Sequence, residues 1–352
     1  MHIRALKYAF PFILFIGAFY SFTITGWQVW MPLVWVWFFV PLLELFIKPK
    51  EKNLAEAEEE MAKADRTYDL LLYVAVIFQY VLLIKFLFSM TEDNLQWYDI
   101  AGRIWVMGSL CGVFGINVAH ELGHRANKFE QLLAKMLLLT SQYMHFFIEH
   151  NKGHHKKVST PNDPSSARYN EWVYRFYFRS VFTGYLSAWK IAASDVKKNN
   201  KPVFSLYNEM IQFTIIQSVF VTIIFFAFGW LITLYYLLAA GIGILLLETV
   251  NYIEHYGLQR KKIADEKYER AMPAHSWNSD HIIGRLFLFE LSRHSDHHYL
   301  ASRKYQLLRH HNDSPQMPTG YPGMVLLSLI PPIWFRVMNK RIKDLQEISP
   351  VK

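Results

Sequence analysis

Six apolar runs constrain this chain more than any other feature of it. Residues 8–24 and 27–47 are separated only by Thr25-Gly26, residues 210–228 and 231–250 only by Gly229-Trp230, and residues 69–90 and about 100–119 lie between the two pairs. Each run is close to the ~20 residues that an α-helix needs to cross the hydrocarbon core of a bilayer. No water is present there to satisfy the backbone, so a spanning run of this composition has to be helical. The expected fold is an all-α integral membrane protein: a bundle of six transmembrane helices in one domain over residues 1–352, with residues 120–209 and 251–352 as a histidine-rich helical cap. Arg4 and Lys7 ahead of the first run resemble the start of a secretory leader. No small-residue cleavage site follows and the second run begins at once, so residues 8–24 are read as a span.

Charge supplies the orientation. Six spans put both termini on one side together with the connector 48–68, which holds five Lys or Arg and six acidic residues, while the loop 91–98 on the other side holds no Lys or Arg. By the positive-inside rule the basic side, and with it the cap, is cytoplasmic. The expected location is a membrane that the chain crosses several times, with both termini on its cytoplasmic side. The net charge of +8 fits the same topology, and no basic run resembles a nucleic-acid module, so no nucleic-acid partner is expected. Two further apolar stretches, 132–148 and the proline-bounded 323–335, have cytoplasmic neighbours at both ends and read as interfacial or re-entrant helices. Cys111 is the only cysteine. That excludes a disulfide framework, a Cys-ligated iron centre and a CxxC redox pair, so electrons for any redox reaction come from outside the chain.

Histidine concentrates the chemistry. Nine of the 15 lie in four short stretches at or just beyond the cytoplasmic ends of the runs: His120 and His124 in HELGH, His150, His154 and His155 in HNKGHH, His255 in NYIEHYG, and His294, His297 and His298 in RHSDHH. On an α-helix, His120 and His124 share one face and can chelate one ion. The same spacing joins His150 to His154 and leaves His155, about 100° away, to face a different ion. RHSDHH can present two rings to one ion and one to another. HELGH alone also matches the zinc-protease pattern, with Glu121 as general base. A catalytic zinc takes three protein ligands and an open position, which leaves most of these rings unused. Nine imidazoles can instead supply four or five nitrogens to each of two ions, and imidazole by itself does not choose between iron, copper, nickel and zinc.

HELGH, EHNKGHH and RHSDHH resemble the three histidine boxes of the membrane fatty-acid desaturase and hydroxylase superfamily. More narrowly, EHNKGHH, NYIEHYG and QMPTGYPG resemble the bacterial alkane 1-monooxygenases of the AlkB type, and the likeness extends over nearly the whole chain. The resemblance implies a six-helix hydroxylase with two iron ions held by His120, His124, His150, His154, His155, His255, His294, His297 and His298. It also implies O2 as co-substrate, terminal hydroxylation of medium-chain n-alkanes to 1-alkanols, and electrons from a separate rubredoxin with its reductase upstream. The alternative within enzymes is a related membrane hydroxylase or desaturase acting on fatty acyl, terpene or alkyl-aromatic substrates; a lipid desaturase would lack the HYG stretch around His255. A metal transporter, from another class, requires ionisable residues deep in several spans, and the runs contain almost none.

Glu121, Glu149, Glu254 and Asp296 each neighbour a box histidine. A carboxylate that accepts the second ring N–H commonly orients a metal-binding imidazole; the competing role is an ion pair with Arg125, Lys152 or Arg293. His275 and His281 also match the family and are expected to be structural or to support the metal ligands rather than to bind the metal, whereas His2, His145, His310 and His311 are expected at the surface or the membrane interface. Trp35, Trp37 and Phe38 are candidates for limiting the depth of a substrate channel, against the ordinary roles of interface anchor or core packing. Arg125, Lys128, Lys152, Lys156, Lys157, Arg303 and Lys304 surround the boxes. An acidic electron carrier would dock on such a set, and topology alone would also put it there.

Overall fold

A computed structural model describes residues 2–265 and 267–348. Among them, four helices are long and apolar enough to cross a membrane: α1 (Trp27–Phe46), α2 (Thr67–Ser89), α3 (Trp97–Gly123) and, after the cap helices α4 (Lys128–Thr140) and α5 (Val173–Lys198), α6 (Glu209–His255). The run ahead of α1 is helical but not uniform. His2–Leu6 and Ile13–Ser21 are α-helical, while Lys7–Phe12, which contains Pro11, is wound as a tighter 3-10 stretch.

α6 has 47 residues, and a straight helix of that length would be about 70 Å long, roughly twice the hydrocarbon thickness. It is folded back instead. Gly229 adopts φ 81° and ψ 173°, a conformation open to glycine, and the two legs pack together with the Phe220 and Tyr236 ring centroids 5.9 Å apart. Asn208 starts the helix by accepting the Met210 N–H at 3.0 Å. Ile216, Val219, Ile223 and Phe226 on the first leg face outward, a surface suited to lipid rather than water.

α3 packs along the second leg of α6 through glycines. A Cβ at Gly108 would lie 2.6 Å from Ile242, and one at Gly243 would lie 2.5 Å from the Cys111 side chain. Small residues of this kind let two membrane helices approach closely. Because α3 ends in HELGH and α6 ends in NYIEH, this packing brings His120 and His255 to the same end of the bundle. Ionisable groups do enter the apolar helices, each tied to polar partners. Buried Arg103 bonds Ser89 O at 2.5 Å, Ile24 O at 2.8 Å and Glu92 at 2.8 Å; Glu248 accepts from Tyr143 at 2.8 Å and from Ser180; Glu44 accepts the Gly284 N–H at 2.6 Å.

The cap is made of short pieces: α7 (His294–Tyr299), α8 (Tyr321–Ser328), α9 (Pro331–Ile348) and a two-stranded antiparallel ribbon of Lys262–Ala264 with Lys267–Tyr268. Long-range polar contacts tie it to the bundle. Tyr8 donates to Glu290 at 2.5 Å, and Glu290 pairs with Arg285 at 2.6 Å, which anchors the N-terminal helical run to the cap. Of the two stretches expected at the interface, 132–148 is helical to Thr140 and then turns, and 323–335 is split between α8 and α9; both carry buried faces, with Leu133, Ala134, Leu137 and Leu138 in α4 and Tyr321, Met324 and Val325 in α8.

Candidate metal centre

The nine box histidines converge into two adjoining sets. His120, His124, His150, His155 and His297 form one and His154, His255, His294 and His298 the other; within each, one ring nitrogen per residue lies within 4.8 Å of all the others. In the five-histidine set, Nε2 atoms face each other at 3.0 Å (His120–His297), 3.1 Å (His124–His150), 3.0 Å (His150–His155) and 3.1 Å (His155–His297). In the four-histidine set the corresponding distances are 3.2 Å (His154–His298) and 3.1 Å (His255–His294). Nitrogens about 2.0–2.1 Å from one ion and at right angles to each other would be separated by about 3 Å. The sets touch: the His155 and His298 ring centroids are 4.5 Å apart.

The sharing of rings corrects one expectation. His150 does not join His154; it joins His155, and His154 belongs to the other set. The cause is local. Glu149–His154 is a π-helical turn rather than an α-helical one. Its hydrogen bonds close five residues on instead of four, and the widened turn swings His155 over His150. α3 contains a similar turn at Cys111–Ile116, just ahead of HELGH. His294 and His298 share one set while His297 faces the other, which is the division that RHSDHH suggests.

These rings sit in the protonation state that binds metal. Burial, reinforced by neighbouring rings, holds His124, His150, His294, His297 and His298 well below the usual imidazole range, and His155 is pushed down to about 3 by burial and by His154. His154 differs. Burial opposes its charge, but Asp163 accepts from its Nδ1 at 2.9 Å and raises it, while burial of Asp163 is outweighed by the His154 ring, which lowers it. That contact fixes the tautomer and leaves His154 Nε2 free to ligate. Among the described residues, the buried Nδ1 atoms of His150, His294 and His298 have no hydrogen-bond partner. Neutral imidazoles packed nitrogen to nitrogen are a suitable donor set for borderline transition-metal cations, iron included.

Comparison with known proteins agrees with this centre. Residues 95–327 match the fatty acid desaturase family. The chain is 45% identical to an alkane 1-monooxygenase of Pseudomonas aeruginosa over 70% of this chain and 65% of that one. It is 36% identical to an alkane 1-monooxygenase of Alcanivorax borkumensis over 97% of this chain and 85% of that one. The chain belongs to the alkane 1-monooxygenase family. A more distant relative, the xylene/toluene monooxygenase hydroxylase component XylM of Pseudomonas putida, is 27% identical over 70% of this chain and 65% of its own length.

Around the boxes of this monooxygenase, two of the four expected carboxylates hold other partners. Glu121 pairs with Arg125 at 2.6 Å and accepts the Tyr305 N–H at 3.1 Å, and Asp296 accepts from Arg303 at 2.7 Å, His311 at 2.7 Å and the Arg309 N–H at 2.9 Å. Glu149, pushed up to about 8 by burial, leaves Oε1 unpartnered. Only Glu254 of the four reaches a box ring, with Oε2 at 3.2 Å from His294 Nε2. His275 turns its ring to Glu269 at 3.2 Å, and His281 bonds Ser279 at 3.1 Å; neither joins a set.

Sequence reasoning missed Asp163 and the roles of His310 and His311. His310 bonds Asp280 at 2.7 Å, and Asp280 also holds Arg293 at 3.0 Å; both histidines thus fasten the segment that follows RHSDHH rather than lying at the surface. His145, expected at the surface or the membrane interface, is buried, and the side chain of His2 lies outside the described residues. Of the basic residues around the boxes, Arg125 is buried, Arg303 grips Asp296, Lys304 pairs with Asp69 at 2.7 Å and the exposed Lys152 pairs with Asp195 at 2.7 Å, whereas Lys128 and Lys156 are exposed and Lys157 is half-buried.

A narrow apolar cavity of about 80 Å³ lies beside the centre, walled by Leu14, Trp37, Val113, Leu246, Phe287 and Tyr321 among others. Trp37 is the member of the aromatic trio that lines it. Trp35 and Phe38 are 38% and 59% exposed and point away. Asn117, also in the wall, is about one helical turn before His120.

Proposed function

We propose that this monooxygenase hydroxylates the terminal methyl group of medium-chain n-alkanes to 1-alkanols at a non-haem di-iron centre held by the two histidine sets. The observation that carries the reading is the pairing of nine converging imidazoles with an apolar cavity in the bundle whose wall residue Tyr321 bonds Glu254, the carboxylate beside His294. Bound iron would supply the activation of O2 and the oxidising power to break an unactivated C–H bond. The chain's own residues do the rest. His120, His124, His150, His155 and His297 hold one ion and His154, His255, His294 and His298 the other. Asp163 fixes the His154 ring. Trp37 and its neighbours receive a hydrocarbon that is already dissolved in the bilayer. The buried walls keep bulk water from a site where it would quench an oxidant. Overall, an alkane, O2, two electrons and two protons give one alcohol and one water.

The associated topology is six spans, with the helical run 8–24 as the first and the two legs of α6 as the last two, and with both termini and the cap on the cytoplasmic side of a bacterial inner membrane. Substrate then arrives from lipid and electrons from the cytosol. A separate rubredoxin, reduced by its reductase, is the proposed donor, and the exposed Lys128, Lys152 and Lys156 are suited to steering an acidic carrier. A second reading, oxidation of an alkyl-aromatic methyl group, is favoured by the XylM likeness.

Product analysis separates the two. Purified protein in lipid, supplied with rubredoxin, its reductase, NADH and n-alkanes of graded length, is expected to yield 1-alkanols. Alcohols from toluene or xylene with none from any alkane would establish the second reading.

A further inference from the structure

The QMPTGYPG stretch contains a residue that connects the cavity to the metal centre. Tyr321 lines the cavity, and its hydroxyl donates to Glu254 Oε1 at 2.9 Å. The second oxygen of that carboxylate, Oε2, lies 3.2 Å from His294 Nε2, the nitrogen that also faces His255 Nε2 at 3.1 Å. Glu254 therefore addresses the interior of the four-histidine set and not the back of a ring. It is 1% exposed, and its carbonyl is held by the Trp277 N–H at 2.8 Å. Tyr321 is pinned as well. The Glu44 carboxylate of α1 occupies the space that a side chain at Gly320 would take, and it accepts the Gly284 N–H at 2.6 Å.

The two sets differ in the charge that touches them. Among the described residues, the four-histidine set has carboxylate oxygens on two of its rings, Asp163 at 2.9 Å from His154 Nδ1 and Glu254 at 3.2 Å from His294 Nε2; no carboxylate oxygen comes within 4.0 Å of a ring nitrogen of the five-histidine set. A divalent ion bound by neutral imidazoles alone brings uncompensated charge into a buried site, which is costly. A carboxylate beside the ligating nitrogens offsets that cost directly. Asp163 acts through a ring, whereas Glu254 faces the ion's own position.

We propose that Glu254 is the carboxylate arm of the four-histidine position, held in place by Tyr321, and that it makes this position bind its metal more tightly than the five-histidine one. The inference rests on reading the two sets as a dinuclear metal centre. Tyr321 is a positioning residue that acts through Glu254, which explains why the cavity wall carries a hydroxyl at that point.

The test is an anaerobic titration of the metal-free full chain with Co(II), whose visible absorption reports each ion as it binds. Wild type is expected to take two ions in two resolvable steps, and His297→Ala should remove only the weaker. Glu254→Gln should weaken the tighter step by about 10- to 100-fold and leave the weaker one unchanged. Tyr321→Phe, which keeps the carboxylate but releases it, should weaken the same step by about 2- to 10-fold. The proposal is overturned if Glu254→Gln leaves the tighter constant unaltered, or weakens both steps alike, or weakens only the step that His297→Ala removes. Should Glu254→Gln not fold, an unchanged tighter constant in Tyr321→Phe overturns it equally. Fewer than two ions in wild type would instead remove the dinuclear reading beneath it.

Discussion

The helix pair at the heart of the bundle and the segments around the metal centre are ordered by different means. In the bundle, α3 and the second leg of α6 meet through Gly108, Gly112 and Gly243, and the contacts are close packing repeated along a helix pair. The cap has an apolar cluster of its own, with Trp277, Met324, Trp334 and Met338 buried in it, but around the boxes single polar contacts fix the segments: Tyr8 with Glu290, Arg293 with Asp280, Lys304 with Asp69, Tyr321 with Glu254. Packing spread over many atoms degrades gradually when one side chain changes, whereas a metal centre suspended on individual ring contacts does not. The difference teaches where this enzyme is brittle: changes in the cap should act on chemistry, and changes in the bundle on stability or substrate choice.

The largest effects should therefore come from the rings. His255→Ala and His297→Ala, one from each set, should each lower 1-alkanol formation by more than about 100-fold with helical content retained by circular dichroism, since ligand loss exceeds the 10- to 100-fold typical of ligand-supporting residues. Near-normal turnover in either variant would remove that ring from the proposed ligand set. Next comes Asp163→Asn, which deprives His154 of its charged acceptor. A 10- to 100-fold fall in metal affinity is expected, and equilibrium dialysis against a chelator would reveal a smaller change if the contact is only structural.

Within the bundle the effects should change in kind. Trp37→Ala opens the cavity and should move the preferred n-alkane to longer chains while changing the best rate by less than about 10-fold, because it alters pocket room rather than ligation. Phe38→Ala, at an exposed position, should leave the product profile alone; an equal shift in both would deny the cavity its proposed role. The smallest effect on activity is expected at Gly229→Ala. Forcing a Cβ into φ 81° and ψ 173° should cost about 1–3 kcal/mol, visible as a lower thermal midpoint with alkane turnover preserved per folded molecule.

The same contrast explains what was legible in the sequence. The apolar runs carry their own signal. Trp27–Phe46 and Thr67–Ser89 fall within a residue or two of expectation, and α3 continues through the first four residues of HELGH. The hairpin around Gly229 was visible because glycine punctuates a run too long for one crossing. HELGH was legible because an α-helical spacing survives in the structure. The division of HNKGHH was not, because nothing in those letters announces a π turn at Glu149–His154. Asp163 was missed for a related reason: it reaches His154 from a loop, at a spacing that no helix period selects, although an acidic residue ahead of Pro164 so soon after a box offered a hint. His310 and His311 looked like surface residues because their partners, Asp280 and Asp296, are 30 and 15 positions away. Helical periodicity shows which face a residue occupies; it does not show which distant carboxylate folds back against that face.

The central claim, that two histidine sets hold two irons, is tested most directly by metal analysis of the purified chain after expression with iron and zinc both present. The account expects about two irons per chain, falling in the His255→Ala and His297→Ala variants. Stoichiometric zinc with no iron would contradict it.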